Sequence, residues 1–534
     1  GRSVAQWDKE DCESLGIIKV DLLGLGMMSV LQDAVALCAE RGRPVDLATI
    51  PKDDPATYDL LCAADTVGVF QVESRAQMAT LPRMQPRCFY DVCIEVAIIR
   101  PGPIQGDLLH PYLARRSGQE PETYDDPRLE PILKRTLGVP LFQEQLLRIA
   151  MVMADFTASE AEELRRALSF HRSPERMARV TARLEERMAA KGIAPTVIQR
   201  MVQAMSSFAL YGFPESHAIS FAILAYASAW LKVHRTPEFY ACLLNNQPMG
   251  FYSPATLLQD ARRHGVRIHP PCIQNSEWHC TVTPQDTLQL GLCQVRNLNT
   301  AHVRQLLAER QTRPFLSLED LRRRVPLDRA EWRVLASTGV LRAFSSHRRD
   351  ALWRVERPPD PDLFAFAASR APAPLPAPES PLPPMQAGER LEADYQGLGL
   401  STGPHPMKLL RPGFPELWRA AELRHGTHGA RIEIAGCLIC RQRPSTAKGF
   451  AFLSLEDESG IANIIVTPRL FEEHRLLILH SSFLRVQGQL QIQNGVIHVR
   501  AESLELFPQP SRGNETTVPA PADPRRGFGA VGAD

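Results

Sequence analysis

Residues 16–24 read Gly-Ile-Ile-Lys-Val-Asp-Leu-Leu-Gly, and their alternation predicts a β-strand. The apolar side chains would lie on one face of this strand, and Lys19 and Asp21 on the other. A carboxylate two residues from an ammonium group can bind a divalent cation while the ammonium binds a phosphate oxygen. The alternative is a solvated Lys-Asp pair at a sheet edge, and this spacing alone does not decide between them.

The neighbouring residues favour the first interpretation. Together with Gln6-Trp7-Asp8-Lys9-Glu10-Asp11, the stretch resembles the last palm strand of the C-family DNA polymerases, which are DNA polymerase III alpha subunits and their error-prone, translesion relatives. The resemblance implies that Asp21 is the third of three catalytic carboxylates and that Lys19 contacts the incoming triphosphate. The family carries the other two carboxylates upstream, as an Asp-x-Asp pair. Because Gly1 stands in mid-motif, we expect the chain to be the C-terminal part of a longer protein.

The resemblance implies a multidomain α+β fold with mostly helical fingers, a helix-hairpin-helix module, the end of a β-containing palm and a C-terminal OB-fold β-barrel. A chain of 534 residues has room for about three to five domains. We expect the following segments: the palm end at 1–27, the fingers at 28–265, the helix-hairpin-helix module at 266–356, a Pro-rich linker at 357–388, a lead-in at 389–428, the OB fold at 429–508 and a disordered tail at 509–534.

Charge and cysteine content narrow the class of protein. The net charge is +1, so any basic surface for nucleic acid must be local. Eleven cysteines without framework spacing fit a reducing cytoplasm. For the Cys437-Leu-Ile-Cys440 pair, buried thiols are favoured over zinc because no second Cys/His pair lies nearby. The longest apolar run, 218–231, predicts a core helix because it is too short to span a bilayer.

Two blocks resemble the start of the fingers: Gly68-Val-Phe-Gln-Val-Glu-Ser-Arg75 and Arg100-Pro-Gly-Pro103. We assign Arg75 and Arg100 to nucleotide binding. Since Arg100 precedes a proline, it is biased to an extended conformation, which leaves its guanidinium free to bind a phosphate. The alternative is an arginine that pairs with a carboxylate and fixes a loop.

A capping box at Thr157 or Ser159 predicts a helix whose early turns contain Arg165 and Arg166. The segment resembles the family's Leu-Arg-Arg-Ala motif on the nucleotide-contacting face of the fingers, so we assign both arginines to the nucleotide. The family continues with Gly and Lys, whereas Ser169-Phe-His-Arg172 follows here. Arg172 is the candidate substitute for that lysine.

The next helix, expected between Ser173 and Gly192, carries a basic stripe. Between Arg165 and Arg200, nine Lys or Arg residues face three acidic ones. Such a stripe can contact duplex phosphates, or it can be a solvated face paired with Glu185 and Glu186. The stripe consists of Arg176, Arg179, Arg183 and Arg187.

Tyr211-Gly-Phe-Pro-Glu-Ser-His217 resembles the family's turn before a long buried helix. Ser216 and His217 would face the nucleotide or shape its pocket. The alternative is a helix-capping serine and a buried, hydrogen-bonded histidine.

Residues 290–299 resemble the family's helix-hairpin-helix segment, which binds the duplex backbone through the amides of a glycine turn. Here Asn297 and Asn299 replace both glycines. Asparagine tolerates the left-handed conformation, but its side chain obstructs close approach of a phosphate. We therefore expect the fold of this segment to be kept and leave its DNA binding open.

The C-terminal pattern predicts an OB fold by itself: strands at 431–440, 450–456, 461–467, 483–493 and 496–507, with a helix at 468–479. Asn494-Gly495 supplies the last hairpin turn. The first hairpin loop combines charge with aromatic surface, as single-stranded DNA requires, although its phenylalanines could equally be core. We assign Arg441, Arg443, Lys448 and Phe450 to DNA binding.

The linker contains ten prolines in 32 residues. Asp362-Leu-Phe364 lacks the glutamine of a sliding-clamp peptide, so we expect no clamp contact through this chain. With the short tail and the missing hairpin glycines, this favours an error-prone, translesion polymerase of the DNA-damage response over a replicative alpha subunit, which remains the alternative.

The implied reaction is nucleotidyl transfer with Mg²⁺, primer-template DNA and a dNTP, in the cytoplasm and with translesion accessory proteins. A module that binds DNA or a partner without chemistry is a further alternative. We expect this chain alone to behave as such a module, because one carboxylate cannot build a two-metal site.

Overall fold

The computed structural model describes residues 7, 9–18, 23–99, 106–169, 174–209, 213–357, 380–444 and 447–507. Within its helices, the side chains at 9, 10, 13, 106–110, 166–169, 174–177 and 204–209 are not described. Residues 19–22 of the strand predicted over 16–24, most of the linker and the tail from 508 lie outside the described residues.

Helices dominate the chain as far as residue 263. They are α1 (Lys9–Ser14), α2 (Leu25–Glu40), α3 (Pro55–Cys62), α4 (Arg75–Met84), α5 (Phe89–Ile98), α6 (Gly106–Arg116), α7 (Glu130–Leu133), α8 (Gln143–Ala154), α9 (Ala158–Ser169), α10 (Pro174–Ala190), α11 (Pro195–Ala209), α12 (Glu215–His234), α13 (Thr236–Asn245) and α14 (Pro254–Arg263).

Local signals explain several of these boundaries. The helix predicted after the first stretch is α2, and Gly42 follows its end at φ 71°. Thr157 and Glu160 form the expected capping box of α9, since each side chain accepts from the other residue's backbone N–H. The predicted core helix is α12, whose Ala222, Ala225 and Ala229 are buried and let neighbouring helices approach closely.

The next module pairs a small sheet with four helices. Its strands are β1 (Arg267–His269), β2 (Thr281–Val282) and β3 (Thr287–Gln289), in the order β1-β3-β2. The helices are α15 (Thr300–Thr312), α16 (Leu318–Arg324), α17 (Arg329–Ser337) and α18 (Arg348–Glu356). Its apolar side chains join those of α2, α12 and α13 in one continuous core.

A closed five-stranded barrel follows the lead-in helices α19 (Ala387–Gly397) and α20 (Pro406–Leu410). Its elements are β4 (Arg431–Gln442), β5 (Ala451–Glu456), β6 (Ile461–Val466), α21 (Pro468–Glu473), α22 (Arg475–His480), β7 (Phe483–Gln493) and β8 (Val496–Leu506). The order β4-β5-β6-β8-β7 closes through the parallel pair β6–β8. The five predicted strands and the helical segment between the third and fourth are confirmed, and Asn494 and Gly495 have the positive φ of the predicted hairpin turn.

The outer face of β5 and β6 packs against the helical region. Ser454 and Glu456 of β5 are buried there, and Glu456 pairs with Arg263 of α14 at 3.0 Å. Asn463 of β6 accepts a hydrogen bond from Arg75 at the start of α4. OB folds commonly bind nucleic acid on the face of their second and third strands. In this arrangement that face is partly covered by protein.

Candidate nucleotide and nucleic-acid interface

Several predicted site residues lie outside the described part of the chain. These are Lys19, Asp21, Arg100 and Arg172, whose backbone is not described, and Arg166 and Arg176, whose side chains are not described.

The block 68–75 forms a turn held by its own side chains. Gly68 donates its N–H to Glu73 Oε2 at 3.0 Å, and Phe251 donates to Glu73 Oε1 at 3.3 Å. Ser74 caps α4 by accepting from the Gln77 N–H. Arg75 reaches the barrel through Asn463, and burial lowers the pKa of its guanidinium. The block thus connects the fingers to the barrel, a role that sequence reasoning did not assign to Arg75.

The Glu73 carboxyl gives the protein a pH-dependent stability. Burial raises its pKa to about 7, above the ordinary glutamate value, so the folded state keeps a proton that the unfolded state has lost. This contribution is full below about pH 4.5 and disappears as the pH rises through about 7.

We expect Glu73→Gln to flatten the fall of the free energy of unfolding between pH 5 and 7, by up to about 3 kcal/mol. Urea unfolding across that range measures the slope. The exposed Glu185→Gln is the control and should leave the slope unchanged. Equal slopes in wild type and Glu73→Gln would contradict the assignment.

The Phe213–His217 turn is bonded to the start of α8. Gln143 donates its N–H to the Phe213 carbonyl at 3.0 Å, and Glu215 donates its N–H to Glu144 Oε2 at 2.8 Å. His217 packs between Phe213 and Phe221 in edge and tilted arrangements, with ring centroids 5.1 Å and 4.4 Å away. Ser216 is exposed beside it. The turn therefore places the exposed Ser216 hydroxyl and the packed His217 imidazole at the N-terminal end of α12.

Two arginines of the basic stripe on α10 pair with acids of α9. Arg183 lies 3.2 Å from Glu163, and Arg187 lies 2.6 Å from Glu160. Glu160 and Glu163 lie before the stretch 165–200, in which basic residues outnumber acidic ones nine to three. The longer stretch 155–200 contains nine basic and seven acidic residues. In the alternative of a solvated face the partners were Glu185 and Glu186, but Arg183 and Arg187 pair with Glu163 and Glu160 instead. Arg179 is exposed, and Arg165 pairs with Glu162 at 2.7 Å.

The hairpin before α15 keeps its fold, and one of its backbone amides binds a carboxylate of the protein. Asn297 adopts the left-handed conformation at φ 60°, and Asn299 caps α15 by accepting from the Ala301 N–H at 2.9 Å. The Asn299 N–H is bound by Glu331 Oε1 at 2.8 Å, and Glu331 is 1% exposed. A backbone amide that a phosphate would need therefore already binds a carboxylate. Nothing in the sequence spacing pointed to Glu331, which lies 32 residues away.

The barrel loop candidates differ in their surroundings. Arg441 donates to the carbonyls of Ile478 and Ser481 at 2.7 Å and 2.6 Å, so it caps the C-terminal end of α22. Arg443 pairs with Glu472 at 2.9 Å and lies over the Phe471 ring. Lys448 is exposed at φ 48°, and Phe450 is half-buried in the loop.

These surroundings predict different effects for two alanine variants. Arg441→Ala should cost about 1.5–3 kcal/mol of stability, since it removes two hydrogen bonds from a charged group. Lys448→Ala should leave stability unchanged and lower the slope of log K against log salt for single-stranded DNA by about 0.7. Urea unfolding and fluorescence anisotropy with an oligonucleotide measure the two quantities. A normal salt slope for Lys448→Ala would contradict a phosphate contact there.

A buried charge cluster connects the helical segments behind these surfaces. Lys232 is fully buried and donates to Asp260 Oδ2 at 2.9 Å, to Asp65 Oδ1 at 3.1 Å and to the Val67 carbonyl at 3.0 Å. His264 lies 2.7 Å from Asp65. Burial opposes ionisation of Asp65, but His264 and Lys232 lower the pKa of its carboxyl overall. Asp65, Asp260 and His264 could ligate a metal by type, but Lys232 already supplies the cation between the two carboxylates.

All eleven cysteines are free thiols. In the part of the chain that the structure describes, no helix combines the length and apolarity needed to cross a membrane.

Comparison with known proteins identifies two of these regions. Residues 27–192 match the model of the bacterial DNA polymerase III alpha subunit finger domain, and residues 265–351 match that of a helix-hairpin-helix motif.

Proteins described as error-prone DNA polymerases are similar to almost the whole chain. Identity is 44% over 508 residues with one from Dechloromonas aromatica, 45% over 513 with one from Pseudomonas aeruginosa and 47% over 511 with one from Mycobacterium bovis. The alignments cover 94% of this chain and 49%, 49% and 46% of those proteins. The chain thus spans about half the length of these curated relatives.

Proposed function

We propose that this chain belongs to the family of the bacterial error-prone DNA polymerases and takes part in template-directed nucleotidyl transfer to a primer 3′-hydroxyl. The observation that carries the proposal is identity of 44–47% along 94% of the chain. The match to the finger domain supports the same reaction, because the resemblance implies that the fingers contact the incoming nucleotide. Primer-template DNA and a dNTP are then the substrates.

Asp21 would be one ligand of the catalytic Mg²⁺, as a carboxylate suits this hard cation. The bound metal would neutralise charge on the transferred phosphate and lower the pKa of the primer hydroxyl. Asp21 lies outside the described residues, and the described cluster of Asp65, Asp260 and His264 does not fit the metal because Lys232 occupies it. Asp21 therefore remains the proposed metal ligand.

The nucleotide would be bound by basic side chains of the palm end and fingers. Lys19, Arg100, Arg165 and Arg166 would neutralise the triphosphate, and Ser216 and His217 would form one wall of the pocket. To bind the triphosphate, Arg165 would have to break its ion pair with Glu162 and pair with a phosphate oxygen instead. Arg75 would have to leave Asn463 before it could bind a nucleotide.

DNA would be bound on two surfaces. The α10 stripe of Arg176, Arg179, Arg183 and Arg187 would follow the duplex backbone, with Arg179 as the side chain that needs no acid displaced. The barrel loop would bind single-stranded template through Arg443, Lys448 and Phe450. Arg441 would stabilise this loop rather than bind DNA, since its guanidinium donates to carbonyls at the end of α22.

The wider context follows from the same proposal. We infer translesion synthesis in the response to DNA damage, accessory proteins of that pathway as partners, no sliding-clamp contact through this chain and a cytoplasmic location. We also propose the domain division given above, with the palm end at 1–27 and the OB fold at 429–508.

A second candidate is a module that binds DNA or a partner without chemistry of its own. The chain's span of about half its relatives' length favours this behaviour for the isolated polypeptide. A replicative alpha subunit is the less supported reading, because the relatives compared are described as error-prone polymerases.

Primer extension tests the proposal. We expect no templated extension by this chain alone, because Asp21 by itself cannot hold two metals. A polypeptide that completes the chain to the length of its relatives should extend the primer in Mg²⁺. Extension by the isolated chain would contradict the carboxylate argument, and no extension by the completed polypeptide would contradict the proposed function.

A further inference from the structure

A cavity opens between the end of α6, the loop that follows it, and the helices α7, α8 and α11. Its volume is about 260 Å³. This is just below the range of about 300–1,000 Å³ that holds drug-sized ligands. None of the residues assigned above to a nucleotide or to DNA lines the cavity. A ligand of this cavity would therefore be small and would have a site of its own.

The floor of the cavity is apolar. Leu133 of α7, Leu146 and Ile149 of α8 and Met201 of α11 line it, and each is at most 7% exposed. All four belong to one hydrophobic core, so close packing holds the floor in place without a ligand. An apolar ligand body suits this floor, because covering it removes apolar surface from water.

The rim of the cavity carries a guanidinium whose charge is not balanced by a carboxylate. Arg115 donates through Nη1 to the Leu137 carbonyl at 2.7 Å and through Nη2 to Thr123 Oγ1 at 3.3 Å, and both acceptors are neutral oxygens. No ion pair joins Arg115 to an acid in the described part of the chain, and its Nε is buried without an acceptor. The positive charge of Arg115 is therefore available to an anion.

Gly138 keeps this guanidinium at the cavity. A Cβ at Gly138 would clash with Arg115 Nη1 and lie 2.6 Å from the Thr123 carbonyl oxygen. Gly138 also has φ 78°, which a residue with a side chain adopts only with strain. The backbone is thus shaped to let Arg115 lie directly against it.

The other two charges on the rim cancel each other. Arg200 of α11 pairs with Asp125 of the loop at 2.6 Å. Two arginines and one aspartate line the cavity, so the charge of its described lining is +1. Thr123 adds a hydroxyl that accepts from Arg115 and can still donate its own proton. The rim therefore suits a ligand with a single negative charge.

We propose that this cavity binds a small monocarboxylate with a short apolar body. The carboxylate accepts the second Nη2 N–H of Arg115 and the Thr123 hydroxyl proton, and the apolar body covers Leu146 and Ile149. A phosphate monoester fits less well, because it carries nearly two negative charges at pH 7 and the rim offers one unbalanced positive charge.

Saturation-transfer NMR on the whole chain tests the proposal with 4-phenylbutyrate as the probe. The neutral 4-phenylbutan-1-ol lacks the charge, and acetate lacks the apolar body. We expect 4-phenylbutyrate to bind with a dissociation constant of about 1 mM or below, and both controls to bind about ten-fold more weakly or worse. Equal binding of the acid and the alcohol, or no binding of the acid, would overturn the proposal.

Two substitutions on the rim should change the affinity for 4-phenylbutyrate in opposite directions. Arg115→Met removes the unbalanced charge and should weaken binding about ten-fold, whereas Asp125→Asn removes a negative charge and should tighten binding about two- to five-fold. Arg128→Met is the matched control and should bind as wild type, since Arg128 is exposed in the same segment but does not line the cavity.

The Asp125→Asn variant keeps the test decisive even if Arg115→Met fails to fold. Asp125 is exposed, so its replacement leaves the core intact. A merely structural disturbance would not tighten binding. Unchanged or weaker binding of 4-phenylbutyrate by Asp125→Asn would therefore count against the site.

Discussion

Replacing Lys232 by methionine is expected to lower the free energy of unfolding by about 3–5 kcal/mol. Methionine fills a similar volume, so the loss comes from the charge rather than from a cavity. It leaves Asp260, which is 3% exposed, and Asp65 without their shared cation and the Val67 carbonyl without a donor. The midpoint of urea unfolding measures the effect.

Lys191→Met on α10 is the matched control. Lys191 also pairs with an aspartate, Asp155 at 2.6 Å, but that carboxylate is largely exposed, so the cost should be about 1 kcal/mol or less. Adding Asp260→Asn to Lys232→Met removes one of the stranded charges, and the double variant should be more stable than the sum of the single effects predicts. Equal losses for Lys191→Met and Lys232→Met, or strict additivity, would contradict a buried ionic cluster.

The barrel and the main helices were predictable from sequence because their signals are local. Alternating hydrophobicity and the Asn494-Gly495 turn determine the barrel strands, and both are read within a few residues. The helix stop at Gly42 and the capping box at Thr157 are likewise short-range. Their physics depends little on the rest of the chain, so the predictions agree with the structure.

The partners of charged side chains were not predictable in the same way. Arg441 looked free for DNA, but the carbonyls it caps lie 37 and 40 residues away. Glu331, on another helix, accepts the Asn299 N–H in the hairpin. Nothing in the residues around Lys232 indicates that it binds Asp65 and Asp260. Ion pairs at long sequence separation depend on tertiary packing, which sequence periodicity does not encode. The position of Lys232 directly after the apolar run 218–231 was the one signal that the sequence offered.

The second large effect is expected from replacing Asp21, the proposed metal ligand. In a polypeptide that completes this chain to the length of its relatives, Asp21→Asn should reduce the rate of nucleotide addition about a thousand-fold, because it removes a ligand of metal ions that stabilise the transition state by several kcal/mol. Asparagine has the same shape and keeps one oxygen, so primer-template binding should stay the same. The exposed Asp53→Asn is the matched control and should extend at the wild-type rate.

The most direct measurement is therefore single-nucleotide addition by the Asp21→Asn polypeptide under saturating primer-template and Mg²⁺, with DNA binding measured in parallel. The account predicts a rate about a thousand-fold below wild type with unchanged DNA affinity. A wild-type rate in the Asp21→Asn polypeptide would contradict the account.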